Sequence, residues 1–348
     1  MSGSPVPQAL LLAALLLGQG AGAENTFGPA PRDAGGRFLN LAGPLERAGV
    51  GVTLPFLARR VFGFLRGAQG LPELEPDAAA ALARAVEGGL PRVTWIGHST
   101  LLLHHDGATY LTDPQWSDRA GPGGRLGPAR FRPPGVPLAA LPPIDFVVIS
   151  HNHYDHLDLP TLRALAKRRA ETVFLVPLGN GALLRRAGIE RVEELDWGDT
   201  RTIGTVTVHC LPNQHWSSRG LTDERKALWS SWSVIGAERR VYFAGDTGLF
   251  PELESIGGAL GPFDLALLPI GAYEPVPMMR PVHLDPEEAV EAARMLRAER
   301  AVAMHFGTFD LTDEPIGEPP VRFREAAAAA GRDADAAWVL RIGETREF

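Results

Sequence analysis

The sequence predicts an α/β protein in which two packed mixed sheets carry helices on their outer faces, an α/β/β/α sandwich. Three observations lead there. From Val93 onward the chain is a series of short β-type runs closed by turn residues, few helical segments intervene, and several runs end directly on a histidine or an aspartate. With 348 residues and 45% apolar content there is material for one large core or two smaller ones. The formal net charge of −7 is spread without a long single-sign block, so there is no basic footprint for nucleic acid and that class of partner is excluded.

At the start of the chain, Ala9 to Leu17 is an uninterrupted apolar run too short to span a bilayer, and Ala21-Gly22-Ala23 has the small-x-small form of a signal-peptidase site. A cleaved leader over residues 1–23 and an exported protein, periplasmic or secreted, are therefore expected, although no Lys or Arg precedes the run. An N-terminal extension over 24–90 follows, and the main domain over 91–348. No other segment reaches transmembrane length without a charge. Within the extension, Val50 to Arg66 alternates bulky apolar residues with Arg59, Arg60 and Arg66. It reads either as an interfacial helix touching a membrane or as a helix packed on the domain, since Pro55 and the glycines blur its period. Asp77 to Val86 is an Ala-rich helix with Asp77 as its expected cap, stopped by Gly88-Gly89.

Strands are expected at Val93 to Ile96, Thr100 to His104, Thr109 to Thr112, Phe146 to Ser150, Thr172 to Val176, Thr205 to Leu211, Ser231 to Ile235, Val241 to Ala244, Leu265 to Ile270 and Ala301 to His305. Helices are expected at Thr161 to Arg169, at Pro286 to Arg297 and at Val321 to Ala330. The second has Asp285 as N-cap, Pro286 at its first position and Glu288 placed for a capping box; the third is ended by Gly331. The Pro-rich stretch Arg119 to Pro143 reads as one long functional loop. The lone cysteine, Cys210, has no partner for a disulfide and no His or Cys at motif spacing, and reads as a small buried strand residue.

The chemistry concentrates at His151-Asn152-His153-Tyr154-Asp155-His156, which follows the apolar run Phe146 to Ile149. A strand this apolar is buried, so its end delivers three imidazoles and a carboxylate into a rigid cleft, which is a metal site. Alternate residues of an extended turn point the same way, so His151 and His153 can share one ion while Asp155 and His156 turn toward a second. The rest of the chain repeats the format of buried strand, then ligand. His215 follows Cys210-Leu211, Asp246 follows Val241 to Gly245, and His305 follows Ala301 to Met304.

Together these residues resemble the metallo-β-lactamase superfamily, whose signature is His-x-His-x-Asp-His followed by a distant His, Asp and His. Further stretches are similar to its N-acyl-phosphatidylethanolamine-hydrolysing phospholipase D branch: Thr94 to Thr100, Leu111 to Pro114, Phe243 to Gly248, Gly271 to Pro275, Val282 to Pro286, His305 to Phe309 and the Trp-rich Leu228 to Trp232. The likeness covers Val93 to the end. It implies that His151, His153 and His215 hold one ion, that Asp155, His156 and His305 hold another, and that Asp246 bridges them. Imidazole and carboxylate ligands without a thiolate fit two Zn²⁺, with iron or manganese as alternatives. Two ions about 4 Å apart would share a water, bring its pKa toward neutrality and leave hydroxide as the nucleophile.

Neighbouring residues carry further expectations. Asp155 and Asp246 are expected in the catalytic set, Asp155 as the group that orients the hydroxide. Asp113 and Asp158 are expected to fix ligand histidines or simply to cap turns. His283 is expected on the substrate side, donating to a phosphate oxygen or assisting the leaving group, with Tyr273 and Trp229 beside it. Trp116, Trp216, Trp229 and Trp232 either line an acyl channel or pack in the core. His98 is expected to be structural or at the cleft rim, and His104 and His105 to belong to a strand and its turn.

The implied activity is a phosphodiesterase of phospholipase D type, releasing an N-acylethanolamine and phosphatidic acid; the alternative is a lactonase or amidase acting on a soluble compound, possibly phosphorylated. A phospholipid or another small molecule is the expected substrate, with peripheral membrane contact and a homodimer both compatible with the sequence. A catalytically idle scaffold would require a lost ligand, and none is lost.

Overall fold

The computed structural model describes residues 27–45, 48–61 and 69–348. The expected leader and Arg66 lie outside these. The first of two seven-stranded sheets contains β1 (Arg92–Gly97), β2 (Thr100–His105), β3 (Ala108–Thr112), β4 (Phe146–Val148), β5 (Val173–Pro177), β6 (Val192–Leu195) and the late strand β14 (Thr345–Glu347), in the order β14-β1-β2-β3-β4-β5-β6. Its first three strands form an antiparallel meander, and β3 to β6 run parallel. The second sheet contains β7 (Thr200–Ile203), β8 (Val206–Leu211), β9 (Ser231–Ile235), β10 (Arg240–Phe243), β11 (Leu265–Pro269), β12 (Arg300–Met304) and β13 (Ala337–Trp338), in the order β13-β12-β11-β10-β9-β8-β7. The predicted sandwich of two mixed sheets is the observed one. Between the sheets lies one apolar cluster that takes in Trp95, Leu103, Val148, Val208, Trp232, Phe243, Leu267 and Val302, all nearly or fully excluded from solvent.

The central strands are apolar on both faces because both are covered, one by the opposite sheet and one by helices. A second cluster holds Ile96, Leu111, Val147, Ile149 and Val176 against Leu162 and Leu165 of α3 (Leu159–Arg168) and Leu82 of α2 (Ala78–Gly88). The helix α7 (Pro286–Met295) has the expected capping box: Asp285 Oδ1 accepts from Glu288 N at 2.7 Å, and Glu288 Oε2 accepts from Asp285 N at 3.3 Å. Asp77 differs from its expectation. It precedes α2 in a left-handed conformation, φ 54°, that turns its carboxylate away from the first turn, and its side chain caps nothing.

Four strands, β6, β7, β13 and β14, were not expected from the sequence, nor were α4 (Gly181–Arg186), α5 (Glu252–Leu260) and α6 (Val276–Met279). The last expected helix is α8 (Pro319–Ala329). Val50 to Arg66 is described only over α1 (Val50–Val61). There the contacts are those of the second reading, a helix packed on the domain: Arg59 pairs with Asp313, while Arg60 holds Asp310 at 2.9 Å and Asp313 at 3.1 Å, so both guanidiniums tie the helix to the loop after β12. What α1 exposes is apolar, with Val50, Leu54 and Leu57 at 71%, 60% and 48% of full exposure. Among the described residues no helix is long and apolar enough to cross a membrane.

Candidate metal centre

Buried strands of both sheets end at one edge of the sandwich, and each ligand sits in the turn that follows one of them. The peptide of Ser150, just past β4, donates to Asp113 Oδ1 at 2.7 Å, which fixes the turn that carries His151 and His153. The next turn closes with Leu157 N donating to His153 O at 2.9 Å and swings Asp155 and His156 inward. Past β10 the chain passes Gly245 at φ 62°, where a Cβ would meet the Ser150 side chain at 2.4 Å; only glycine lets the two sheets approach closely enough to deliver Asp246. His305 follows β12 with a φ of 60°.

All seven expected ligands converge. His151 Nε2 lies 2.8 Å from His153 Nδ1, which lies 3.3 Å from His215 Nε2. A second group joins Asp155, His156 and His305, with Asp155 Oδ2 at 3.4 Å and 3.6 Å from the two Nε2 atoms. Asp246 Oδ2 sits between the groups, 3.0 and 3.1 Å from His156 and His305 and 3.9 and 4.0 Å from His151 and His215.

Electrostatics fit a cation. Burial keeps His151 and His215 far below the ordinary imidazole range and lowers His153 to about 4, leaving neutral rings that can donate a lone pair. Burial acts on His156 and His305 too, but Asp246 and Asp155 outweigh it, holding His156 well above the ordinary value and His305 at about 9. Burial pushes the Asp155 and Asp246 carboxyls up, yet the facing His156 holds both well below the usual range. Two ionised carboxylates in a buried site thus draw positive charge, protons when no metal is bound. His156 Nε2, His305 Nε2 and Asp246 Oδ1 are buried and lack a hydrogen-bond partner, because the close nitrogens and oxygens are aimed at a common point instead of at one another. Orphaned donors around one point suit divalent ions, and a set of nitrogen and oxygen ligands without sulfur suits zinc, iron or manganese.

Ligand orientation is fixed from outside. Ser150 Oγ meets His151 Nδ1 at 2.9 Å, Asp113 Oδ2 accepts from His156 Nδ1 at 2.7 Å, and Val282 O accepts from His215 Nδ1 at 3.0 Å. Asp113 therefore does what was expected of it. Asp158 takes the other expected course: it accepts from Ser117 and Thr161, organising the turn at the start of α3.

Three further residues support the cluster. Asn40, from the N-terminal extension, brackets the backbone of His215, accepting from its N–H at 3.1 Å and donating to its carbonyl at 3.0 Å. Arg219 donates to the carbonyls of Asn152 and Leu157 at 2.9 and 2.8 Å, clamping both ends of the ligand turn. His98, expected to be structural or at the rim, is buried with Nε2 at 3.0 Å from Asp155 Oδ2. No local motif announces Asn40 or Arg219, which lie far from their partners in sequence and act on main-chain atoms that every residue possesses, whereas His98 sits in the Thr94 to Thr100 stretch.

A cleft of about 780 Å³ opens over the cluster. His283 lines it, with Nδ1 3.9 Å from Asp246 Oδ2 and no hydrogen-bond partner. Burial lowers its pKa to about 4, against the pull of Asp246. Trp216 lines the cleft with its ring edge-on to His153 at 4.6 Å. The other expected substrate-side aromatics are corrected. Trp229 is fully buried, its indole donating to Asn40 Oδ1 and to Asn213 O, and Tyr273 is buried with its hydroxyl on Glu318 at 2.7 Å. Neither lines the cleft, because the polar end of each ring is drawn to a partner inside the protein. Trp232 is a core residue bonded to Ile149 O, and Trp116 reaches Val136 O. The stretch Arg119 to Pro143 lines no part of the cleft. Cys210 is buried in β8, and His104 and His105 end β2, as expected.

Known proteins agree with this geometry. Residues 108–306 match a family described as the beta-lactamase superfamily domain. N-acyl-phosphatidylethanolamine-hydrolyzing phospholipase D 1 of Caenorhabditis elegans is 42% identical over 266 residues, spanning 73% of this chain and 75% of the relative. A UPF0173 metal-dependent hydrolase of Methanopyrus kandleri is 30% identical over 74% of this chain and 99% of its own length. Among solved structures, the metallo hydrolase Igni18 of Ignicoccus hospitalis superposes with a TM-score of 0.56 at 25% identity, over 74% of this chain and 98% of that one.

Proposed function

Because the chain belongs to the metallo-β-lactamase superfamily, in its N-acyl-phosphatidylethanolamine-hydrolysing phospholipase D branch, and is a metal-dependent hydrolase, we propose that it cleaves N-acylated phosphatidylethanolamine-like lipids at the phosphorus–oxygen bond on the ethanolamine side. The products are an N-acylethanolamine and phosphatidic acid. One observation carries this reading: a cleft of about 780 Å³ joins the ligand cluster to an apolar wall of Leu45, Val50, Leu54, Phe56, Met279 and Leu311. A small soluble lactone has no use for such a wall, whereas a diester with long chains does.

In this reading His151, His153 and His215 hold one zinc ion, Asp155, His156 and His305 a second, and Asp246 both. Bound there, the pair supplies Lewis acidity and activates water at neutral pH. The protein's own groups do the rest. Burial keeps His283 neutral at pH 7, which makes it a poor proton source and a good hydrogen-bond donor to a phosphoryl oxygen. The exposed apolar edge of α1 lies beside the cleft mouth, so contact with a bilayer is apolar in character, the arginines being engaged in the protein. Export through the leader over 1–23 belongs to the same proposal, and amino-terminal sequencing of protein from its natural host tests it: an intact Met1 rejects it.

Mass-spectrometric product identification after exposing zinc-loaded protein to N-acylated phospholipids, unmodified phospholipids and lactones tests the substrate class. N-acylethanolamine release from the first group is expected. Efficient lactone opening with every N-acylated lipid untouched overturns it.

A further inference from the structure

We propose that His98 is a positioning residue for the second metal ion, joining the two ligand-bearing loops that arrive from opposite sheets. It rests on the two-ion reading above. His98 occupies the tight turn between β1 and β2, in a left-handed conformation with φ 54° that a residue with a Cβ adopts only when its surroundings fix it. Every group of its backbone is engaged. The N–H donates to Thr308 Oγ1 at 2.8 Å, and the carbonyl accepts from Trp95 Nε1 at 2.8 Å and from His305 N at 3.1 Å.

The side chain works in the other direction. Nε2 meets Asp155 Oδ2 at 3.0 Å, and the ring packs 4.1 Å from that of His305 and 5.1 Å from that of His156. One residue thus holds Asp155 through its imidazole and His305 through its main chain, and touches His156 as well. These are the three terminal ligands of the second ion. His151, His153 and His215, which serve the first, have other supports: Ser150, Arg219 on the turn, and Val282 with Asn40. A carboxylate hangs from a rotatable bond, and Asp155 is the ligand whose other neighbours at Oδ2 are ligand nitrogens. With Nε2–H donated from a locked ring, its oxygen is presented to the ion before the ion arrives. Outer partners of this kind contribute about 10–100-fold to metal affinity.

His98→Phe keeps the ring and removes the donor, while His98→Gln offers a carboxamide N–H near the same place. Zinc binding to metal-depleted protein is followed by competition with a chromophoric chelator, alongside thermal melting of the metal-free forms. The wild type must first bind two ions; a single ion there ends the two-ion reading itself. Given two, His98→Phe is expected to weaken the second ion by about 10–100-fold, leave the first unchanged and leave the metal-free melting temperature unchanged, with His98→Gln recovering part of the loss. Two tight ions in His98→Phe, or equal loss of both ions together with a lowered metal-free melting temperature, overturns the proposal. Should neither variant fold, the zinc-loaded wild type decides through ¹⁵N imidazole resonances. A protonated, uncoordinated His98 Nε2 supports it; an unprotonated or metal-coordinated Nε2 contradicts it.

Discussion

At the scale of single residues, the proposed function assigns some groups to the ions and others to the substrate, and the two assignments are tested separately. Asp246 lies within 4.0 Å of four histidines of the cluster, so under the proposed two-ion reading Asp246→Ala would leave both ions without their shared ligand. Activity is expected to fall by orders of magnitude and bound zinc to fall with it. His283 lines the cleft with its Nδ1 3.9 Å from Asp246 Oδ2 and without a hydrogen-bond partner, so His283→Ala should lower kcat/KM by about 10–100-fold, the worth of one hydrogen bond to a charged group, with metal content unchanged. Loss of zinc in that variant would make His283 a ligand. Cys210→Ala should keep full activity and cost about 1 kcal/mol of stability, measurable by denaturant unfolding, since it removes one buried sulfur from β8.

Among the elements, legibility followed burial. The central strands were readable because an apolar run of about five residues between turn residues has few other uses. Edge strands were not. β7 is Thr-Arg-Thr-Ile with three exposed residues, β14 is Thr-Arg-Glu, and no apolar run marks either before a neighbour pairs with it. The histidine cluster was readable because four ligands sit within six residues, whereas Tyr273 and Trp229 misled because nearness in sequence says nothing about which way a ring turns. Asn40 and Arg219 act on carbonyls and amides 175 and 67 residues away. For α1 the sequence showed its amphipathic composition but not the acidic loop, Asp310 and Asp313, that takes up Arg59 and Arg60. Leu57 is exposed and lines no part of the cleft. Leu57→Asp should therefore slow turnover on phospholipid vesicles several-fold and leave dispersed short-chain substrate unaffected; equal effects on both would remove α1 from the membrane contact.

On the scale of the whole molecule, two sheets deliver the centre jointly, and neither holds it alone. Sheet one supplies His151, His153, Asp155 and His156, sheet two supplies His215, Asp246 and His305, and the two ions proposed here would therefore pin the sheets together. Elemental analysis should find near two zinc equivalents, and the loaded protein should melt well above the metal-free form. Uptake also carries a pH signature. His305 keeps its proton up to about pH 9 and His156 beyond the ordinary range, so ions arriving at pH 7 must expel protons. Affinity is accordingly expected to rise as pH increases through neutrality, with proton release seen by calorimetry in buffers of different ionisation enthalpy. Uptake without release would mean that the two histidines are already neutral.

Hydrolysis of a phosphodiester by water attacking phosphorus, as proposed for this enzyme, is reported by the fate of that water's oxygen. Zinc-loaded protein turning over an N-acylated phosphatidylethanolamine in ¹⁸O-water is expected to place one heavy oxygen in phosphatidic acid and none in the N-acylethanolamine. Label in the N-acylethanolamine instead, or an intact lipid in the presence of fully bound zinc, would contradict it.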